Sequence, residues 1–531
     1  KKVDKVWLWD EYPNKWQRQD LGTDLVFKDN DGLIWAVQAK CYSEHRTTTK
    51  GDMNSFLADT GRPEVDRRLW LQTTNKIEAK AEKTYKGQDK QVTIINLNNF
   101  RDAQIDYPSS FADLYQAKVK DKPEPDPHQI KAIADVTDGL QKSDRGQMIM
   151  ACGTGKTFTT LWIKEALKSE TTLVLLPSLS LLSQTMREWA WAGNTDFEIL
   201  NVCSDKSVGK KTEDMAPSDA PFAVTSDVHE IAKFLQKSGP RVVFCTYQSS
   251  QLIAEAQIDA EVPTFDLAIA DEAHRCAGKA DAGFATILDG EKIRASKRLF
   301  TTATPRYFSN AADLAVIGMD DETVFGPVIH QLTFGQAIQD ELLNDYQVVI
   351  VGVDEPMVKQ WIDNYEIVAT SPDETTDART LAAKIGMLKA VKDYDLKRVI
   401  SFHSRVSGAK KFSEELTKVA DLIEPANRPD GTFLSDYVSG AMKAGDRKDK
   451  IDKLKELEGY DRGILTNARC LAEGVDVPSL DGVAFIDPKG SQVEIIQAVG
   501  RAIRKVRGAE RQTKGTIVIP VFIEDGDDHE A

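Results

Sequence analysis

Apolar and polar positions change rhythm partway along this chain of 531 residues. From residue 128 onward, short runs rich in aliphatic and β-branched residues alternate with longer stretches of helical period. That alternation predicts parallel sheets joined by crossover helices. Runs at 147–150, 173–176, 242–246, 267–270 and 298–301 predict one set of strands, and runs at 346–353, 398–402, 463–466, 482–486 and 516–521 a second. Two α/β domains result, meeting between 325 and 346. The first 118 residues differ: a strand at 25–27, a turn at Asp29-Asn30-Asp31-Gly32 and a strand at 33–39 predict a hairpin. A helix at 52–58, a strand at 69–73, a helix at 76–85 and a strand at 91–97 complete a small α/β domain of mixed topology. Between the two regimes, 118–127 carries three prolines at alternate positions, which disfavours helix and predicts an extended connector. The polar, patternless stretch 205–219 predicts a flexible loop.

The expected organisation is a first domain at 1–118, a linker at 119–127, and two lobes at 128–335 and 336–531. Length agrees with several domains, at roughly 150 residues each. The net charge of −15 excludes a protein that holds nucleic acid by bulk positive charge. The charge is uneven, however: residues 1–118 hold 19 Lys plus Arg against 18 Asp plus Glu, so this part is the better surface for a polyanion. Six scattered cysteines, with no Cys-x-x-Cys pair, argue against a zinc or disulfide framework and for a reducing, cytoplasmic setting. No apolar run approaches the roughly 20 residues that span a bilayer. The abrupt first and last residues suggest part of a longer protein.

The candidate chemistry begins with Ala151-Cys152-Gly153-Thr154-Gly155-Lys156-Thr157, between a predicted strand and a predicted helix. In a phosphate-binding loop, glycines let backbone N–H groups curl around phosphates, the lysine reaches the terminal phosphates, and the hydroxyl binds magnesium. Gly153, Thr154, Gly155, Lys156 and Thr157 fill those places, although the strict pattern has Gly where this chain has Met150. Asp271-Glu272-Ala273-His274 follows an apolar strand, where carboxylates emerge at the edge of a parallel sheet. Asp271 is the candidate magnesium ligand and Glu272 the candidate base for the attacking water.

These segments resemble motifs of superfamily two helicases and translocases, whose two RecA-like lobes bind ATP and magnesium. By that resemblance Gln129, in Pro127-His128-Gln129, reads adenine, and Thr302-Ala303-Thr304-Pro305 links hydrolysis to movement. Thr246-Tyr247-Gln248 resembles a strand-contacting motif of the first lobe, with Ser178, Ser180, Gln184, Thr246, Ser404 and Arg405 as weaker candidates for backbone contacts. Glu473-Gly474-Val475-Asp476 implies nucleotide contacts from Gly474 and Asp476. The run from Gln497 to Arg504 implies arginine fingers at Arg501 and Arg504, which would neutralise charge on the transferred phosphoryl group.

In the first domain, alternation along 33–40 puts Gln38 and Lys40 on one face, and the hairpin lets Asp24 meet them. A carboxylate with a second oxygen can hold magnesium against a scissile phosphate, while the lysine helps activate water. Gly22-Thr23-Asp24 and Val37-Gln38-Ala39-Lys40 resemble the Mrr-like branch of the PD-(D/E)xK nucleases, with Asp24 and Gln38 as metal ligands and Asp24, Gln38 and Lys40 as catalytic group. Gln38 stands where the wider family has Asp or Glu. Asp20 is a weaker candidate, Asp29 and Asp31 read as turn formers, and the tryptophans Trp7, Trp9, Trp189 and Trp191 as packing.

Nuclease, linker and motor in this order resemble type ISP single-polypeptide restriction-modification enzymes; Ser143-Asp144-Arg145-Gly146 and Cys470-Leu471-Ala472 extend the likeness. The resemblance implies an ATP-driven translocase on double-stranded DNA joined to a magnesium endonuclease. It also implies methyltransferase and target-recognition domains on the rest of the native chain, since no Asn-Pro-Pro-Tyr motif is present. The other readings are a type I-like restriction subunit, a helicase with a non-catalytic DNA-binding first domain, and an RNA remodeller.

Overall fold

A computed structural model describes residues 3–16, 22–204, 222–259, 261–279, 284–308, 316–354, 374–422, 428–440, 442, 444–457, 459–468, 480–488, 492–505 and 514–523. The chain forms two compact units. The first comprises Lys1–Gln147, Thr157–Phe300 and Tyr307–Ile329; the second comprises Met148–Lys156, Thr301–Arg306 and His330–Ala531.

The first unit opens with a five-stranded sheet in the order Val3–Leu8, Leu25–Asp29, Ile34–Lys40, Arg67–Gln72, Val92–Ile95. Its first three strands run antiparallel and the last two join in parallel, which is the mixed topology expected. Helices Lys50–Asp59 and Ala79–Lys86 complete a core of Met53, Phe56, Leu57, Trp70, Ala81 and Tyr85. The hairpin turn is braced by Asp29, whose buried carboxylate accepts from the N–H groups of Asp31 and Leu33, both at 3.0 Å, and from Trp35 Nε1 at 2.9 Å. Asp31, at the tip, faces Lys237, whose Nζ lies 2.7 Å from both Asp31 Oδ1 and Glu198 Oε2. This pairing and Arg67–Glu230 (3.7 Å) tie the small domain to the α/β layer that follows.

That layer is a seven-stranded sheet in the order Glu198–Val202, Arg241–Thr246, Thr171–Leu176, Phe265–Asp271, Ala295–Thr302, Arg145–Met150, Val328–Leu332. Every residue of Thr171–Leu176 and Arg241–Thr246 is buried, as expected for parallel strands covered on both faces. In the second unit, six strands run wholly parallel in the order Tyr346–Asp354, Gly515–Ile523, Gly482–Phe485, Arg398–His403, Arg462–Ala468, Phe433–Ser439. Helices Val406–Leu422 and Gln492–Ala502 pack on this sheet. The fold class is therefore the α/β class that the sequence predicts.

Among the described strands longer than two residues, Val3–Leu8, Glu198–Val202, Val328–Leu332 and Phe433–Ser439 carry no clear signal in the sequence. The strand expected at 91–97 stops at Ile95 because Asn96 caps a short helix, Leu97–Asp102. Asn96 and Asn99 exchange side-chain to backbone hydrogen bonds there (3.2 and 2.8 Å), a reciprocal cap that outcompetes continued extension. Pro127, third of the alternate prolines, opens the helix Pro127–Lys142, where its missing N–H costs nothing. The loop expected at 205–219 lies outside the described residues.

Candidate functional site

In the small domain, antiparallel pairing of Leu25 with Val37 brings Asp24 opposite Gln38. Asp24 N–H donates to the Val37 carbonyl at 2.8 Å, so the residue is held in line with the ladder. Asp24 Oδ2 accepts from the Ala39 N–H at 2.6 Å and from Gln38 Nε2. Gln38 is 2 % exposed. Lys40, two residues on, shares its face and pairs in register with Gln72 of the neighbouring strand. The structure thus brings Asp24 and Gln38 into contact. Asp20 lies outside the described residues.

The donor set fits magnesium in one orientation of the amide. Mg²⁺ takes one or two protein oxygens and fills its shell with water or phosphate. Here the Gln38 amide N–H meets Asp24, where a cation would need the amide oxygen; turning the amide over presents Oε1 beside the carboxylate.

The nucleotide candidates fall in both units. In the second, Ala151 to Lys156 curls into a loop whose turns need positive φ at Gly153 (+87°) and Gly155 (+84°). A Cβ on Gly153 would meet Leu343 Cδ2 at 3.2 Å and Arg504 Cγ at 3.6 Å, so Arg504 lies against the loop. Its helix end is fastened there: Leu343 bridges Arg504, and Asn344 N–H donates to the Ile503 carbonyl at 2.8 Å. Gly500 packs as closely, since a Cβ there would sit 3.0 Å from Cys152 Cβ. Arg501 is half-buried one residue further along. Thr154 Oγ1 donates back to the Ala151 carbonyl at 2.8 Å, closing the loop from inside.

In the first unit, Thr157 follows Lys156, which opens the helix Lys156–Ala166, and its carbonyl accepts from Trp189 Nε1 at 2.9 Å. Gln129, 4 % exposed, stands at the third position of Pro127–Lys142 and accepts the Asp126 N–H through Oε1 at 2.8 Å. Asp271 ends the strand Phe265–Asp271. Glu272 adopts a left-handed conformation (φ 51°, ψ 47°), uncommon for a residue with a side chain. Such backbone strain gathers at functional sites. Its carboxylate lies 3.4 Å from His274 Nδ1, with both side chains largely buried. Beneath it, Tyr247 donates its hydroxyl to the Asp271 carbonyl at 2.7 Å, and burial pushes its phenol well above the usual value. Burial also pushes the neighbouring Cys276 thiol up to about 12, partly offset by its hydrogen bond with Tyr247, so this floor carries no charge near neutrality.

Thr246, a weaker candidate for strand contact, is 0 % exposed, and its hydroxyl donates to Ser249 Oγ at 3.1 Å. Ser178 caps the helix Leu179–Ala192, accepting from the Leu181 N–H at 3.3 Å, and Gln184 donates to Glu188 at 2.8 Å. Ser180 is partly buried, and Ser404 and Arg405 are exposed. Gly474 and Asp476 lie outside the described residues. Trp9 (3 %) and Trp189 (0 %) are packed, as expected of paired aromatics. Sequence reading missed Tyr247 as the support under Asp271, and Thr23 and Asp59 behind Asp24.

Comparison with known proteins follows the same division. Residues 1–117 match a family of restriction endonucleases, residues 122–307 the res subunit of type III restriction enzymes, and residues 384–506 the helicase conserved C-terminal domain. The "Probable helicase" proteins of African swine fever virus isolates are 28–29% identical over 388 or 389 residues, covering 72% of this chain and 39% of theirs. Among solved structures, the ATP-dependent Type ISP restriction-modification enzyme LlaBIII bound to DNA superposes with a TM-score of 0.84 and 30% identity, over 99% of this chain and 36% of that one. A nuclease-deletion mutant of the Type ISP enzyme LlaGI, in complex with a DNA substrate mimic, gives 0.53 and 28%, over 75% and 27%. This chain spans less than two-fifths of the length of these relatives. It carries a restriction-endonuclease-type domain and helicase-type domains, and among its described residues no helix is long and apolar enough to cross a membrane.

Proposed function

We propose that this chain is the cutting and driving part of an ATP-dependent restriction enzyme, a double-stranded DNA translocase coupled to a magnesium endonuclease. The observation that carries the reading is the likeness to LlaBIII over 99% of the chain, from the nuclease-type sheet through both helicase-type parts. In this reading 1–118 is the nuclease, 119–127 the linker, and 128–335 and 336–531 the motor lobes. Gly153, Thr154, Gly155 and Lys156 cradle the ATP phosphates, and Thr157 and Asp271 hold its magnesium. Glu272 takes the proton of the attacking water, with Arg501 and Arg504 set against the phosphoryl group. Gln129, Gly474 and Asp476 complete the nucleotide contacts. In the nuclease, Asp24 and Gln38 hold a second magnesium ion, which when bound would polarise the scissile phosphate, and Lys40 orients the attacking water or meets developing charge. Methylation and target choice belong to the rest of the native protein.

The Gln38 amide lying on Asp24 as a donor favours a second reading, in which the first domain grips DNA without cutting it. Titrating Mg²⁺ into the full-length protein with long duplex DNA and ATP separates the two. A nuclease gives saturable, Mg²⁺-dependent breakage that the chelator EDTA abolishes; a binding module gives none at any concentration.

A further inference from the structure

We propose that Asp59 is a positioning residue for Asp24, acting through Thr23; the inference rests on reading Asp24 as the nuclease carboxylate. The Asp59 side chain is fully buried (0 % exposed) at the end of Lys50–Asp59. Its Oδ2 accepts the Thr23 hydroxyl at 2.9 Å and its Oδ1 accepts Trp16 Nε1 at 3.1 Å. Among the described residues, Arg62 approaches it as a cation, with Nε 3.9 Å from Oδ1. A helix C-terminus is an unfavourable place for a carboxylate, because the last carbonyls already carry partial negative charge. A buried carboxyl group there, whose hydrogen-bond donors among the described residues are both neutral, has low value for stability alone.

The surroundings hold Asp59 still. Arg68, itself 3 % exposed, donates to the Leu57 carbonyl at 3.2 Å and the Thr60 carbonyl at 3.3 Å. Thr60 returns its hydroxyl to the Phe56 carbonyl at 2.6 Å. The helix end is thus clamped on both sides of Asp59.

What the clamp controls is the segment ahead of Asp24. Gly22 has φ +127°, and a Cβ there would lie 3.0 Å from Gln38 Oε1 and 3.1 Å from both Phe56 N and Ser55 Oγ. Thr23 is 0 % exposed, and its hydroxyl is spent on Asp59. Gly22, Thr23 and Asp24 are therefore each fixed: the first by close packing, the second by Asp59, the third by Val37, Gln38 and Ala39. Without the Thr23–Asp59 bond, the residue next to Asp24 loses its hydrogen-bonded anchor to the helix, and only the packing of Gly22 is left. A displacement of about 1 Å at a reacting group can cost on the order of a hundredfold in rate.

The test uses the full-length protein with Thr23→Val, which keeps the shape and removes the hydroxyl, and Thr23→Ser, which keeps the hydroxyl. Cleavage is measured against Mg²⁺ concentration, with DNA-stimulated ATP hydrolysis as the control for folding. Thr23→Val is expected to slow cleavage by between about ten- and a hundredfold, or to raise the Mg²⁺ needed for half-maximal cleavage, with ATP turnover unchanged. Thr23→Ser is expected to restore both. Unchanged cleavage and Mg²⁺ dependence in Thr23→Val, or equal loss in both variants, overturns the inference. Asp24→Ala run alongside keeps the two ideas apart: if it cuts like the wild type, it is the nuclease reading that fails.

Discussion

In the full-length protein, Glu272→Gln is expected to lower DNA-stimulated ATP hydrolysis by on the order of 10²- to 10⁴-fold, the usual contribution of a general base. The substitution keeps the size of the side chain and an oxygen for His274, now 3.4 Å from the carboxylate, so the loss isolates the proton-accepting role. The left-handed backbone at Glu272 also survives, because Gln has the same steric requirement as Glu. Nucleotide binding should persist, since Lys156 and the loop glycines are untouched. Phosphate release measured with saturating duplex DNA reads the effect, and turnover within a few-fold of wild type would remove Glu272 from the reaction.

The second large effect is at the other end of the chain. Asp24→Ala is expected to abolish DNA breakage, while ATP turnover stays near wild type. The carboxylate accepts from both the Gln38 amide and the Ala39 N–H, so its removal takes away the acceptor those two donors share. The two donors left without that acceptor, Gln38 and Ala39, sit near the carboxyl end of Ile34–Lys40 and are not part of the Met53–Phe56–Trp70 core, which explains why the fold should endure. Gel analysis of linear and nicked products checks it. Breakage at the wild-type rate would place the cutting site elsewhere.

How far the sequence speaks depends on how local its signals are. The hairpin register that sets Asp24 against Gln38 follows from alternation and from a turn whose Asp29 and Gly32 serve adjacent backbone, and the structure has that register. The phosphate loop is equally local, because two glycines and a lysine lie between one strand and the next helix. Val328–Leu332 was not legible as a strand, for its partner is Arg145–Met150, almost two hundred residues earlier. Asp59 was hidden for the same reason: nothing near it in sequence announces that it serves Thr23, 36 residues away. The motif at Thr246 says where a hydroxyl stands on a strand and not that Ser249 turns it inward. Lys237, bridging Asp31 and Glu198, likewise has no pattern that foretells it.

If one chain makes DNA breakage depend on ATP hydrolysis, the two activities must fall together. Following both in the full-length Lys156→Ala protein, on a long duplex that the wild type cuts, measures this directly. ATP turnover is expected to fall to background and breakage to disappear with it, although Asp24, Gln38 and Lys40 are intact. Breakage at the wild-type rate without ATP turnover would contradict it.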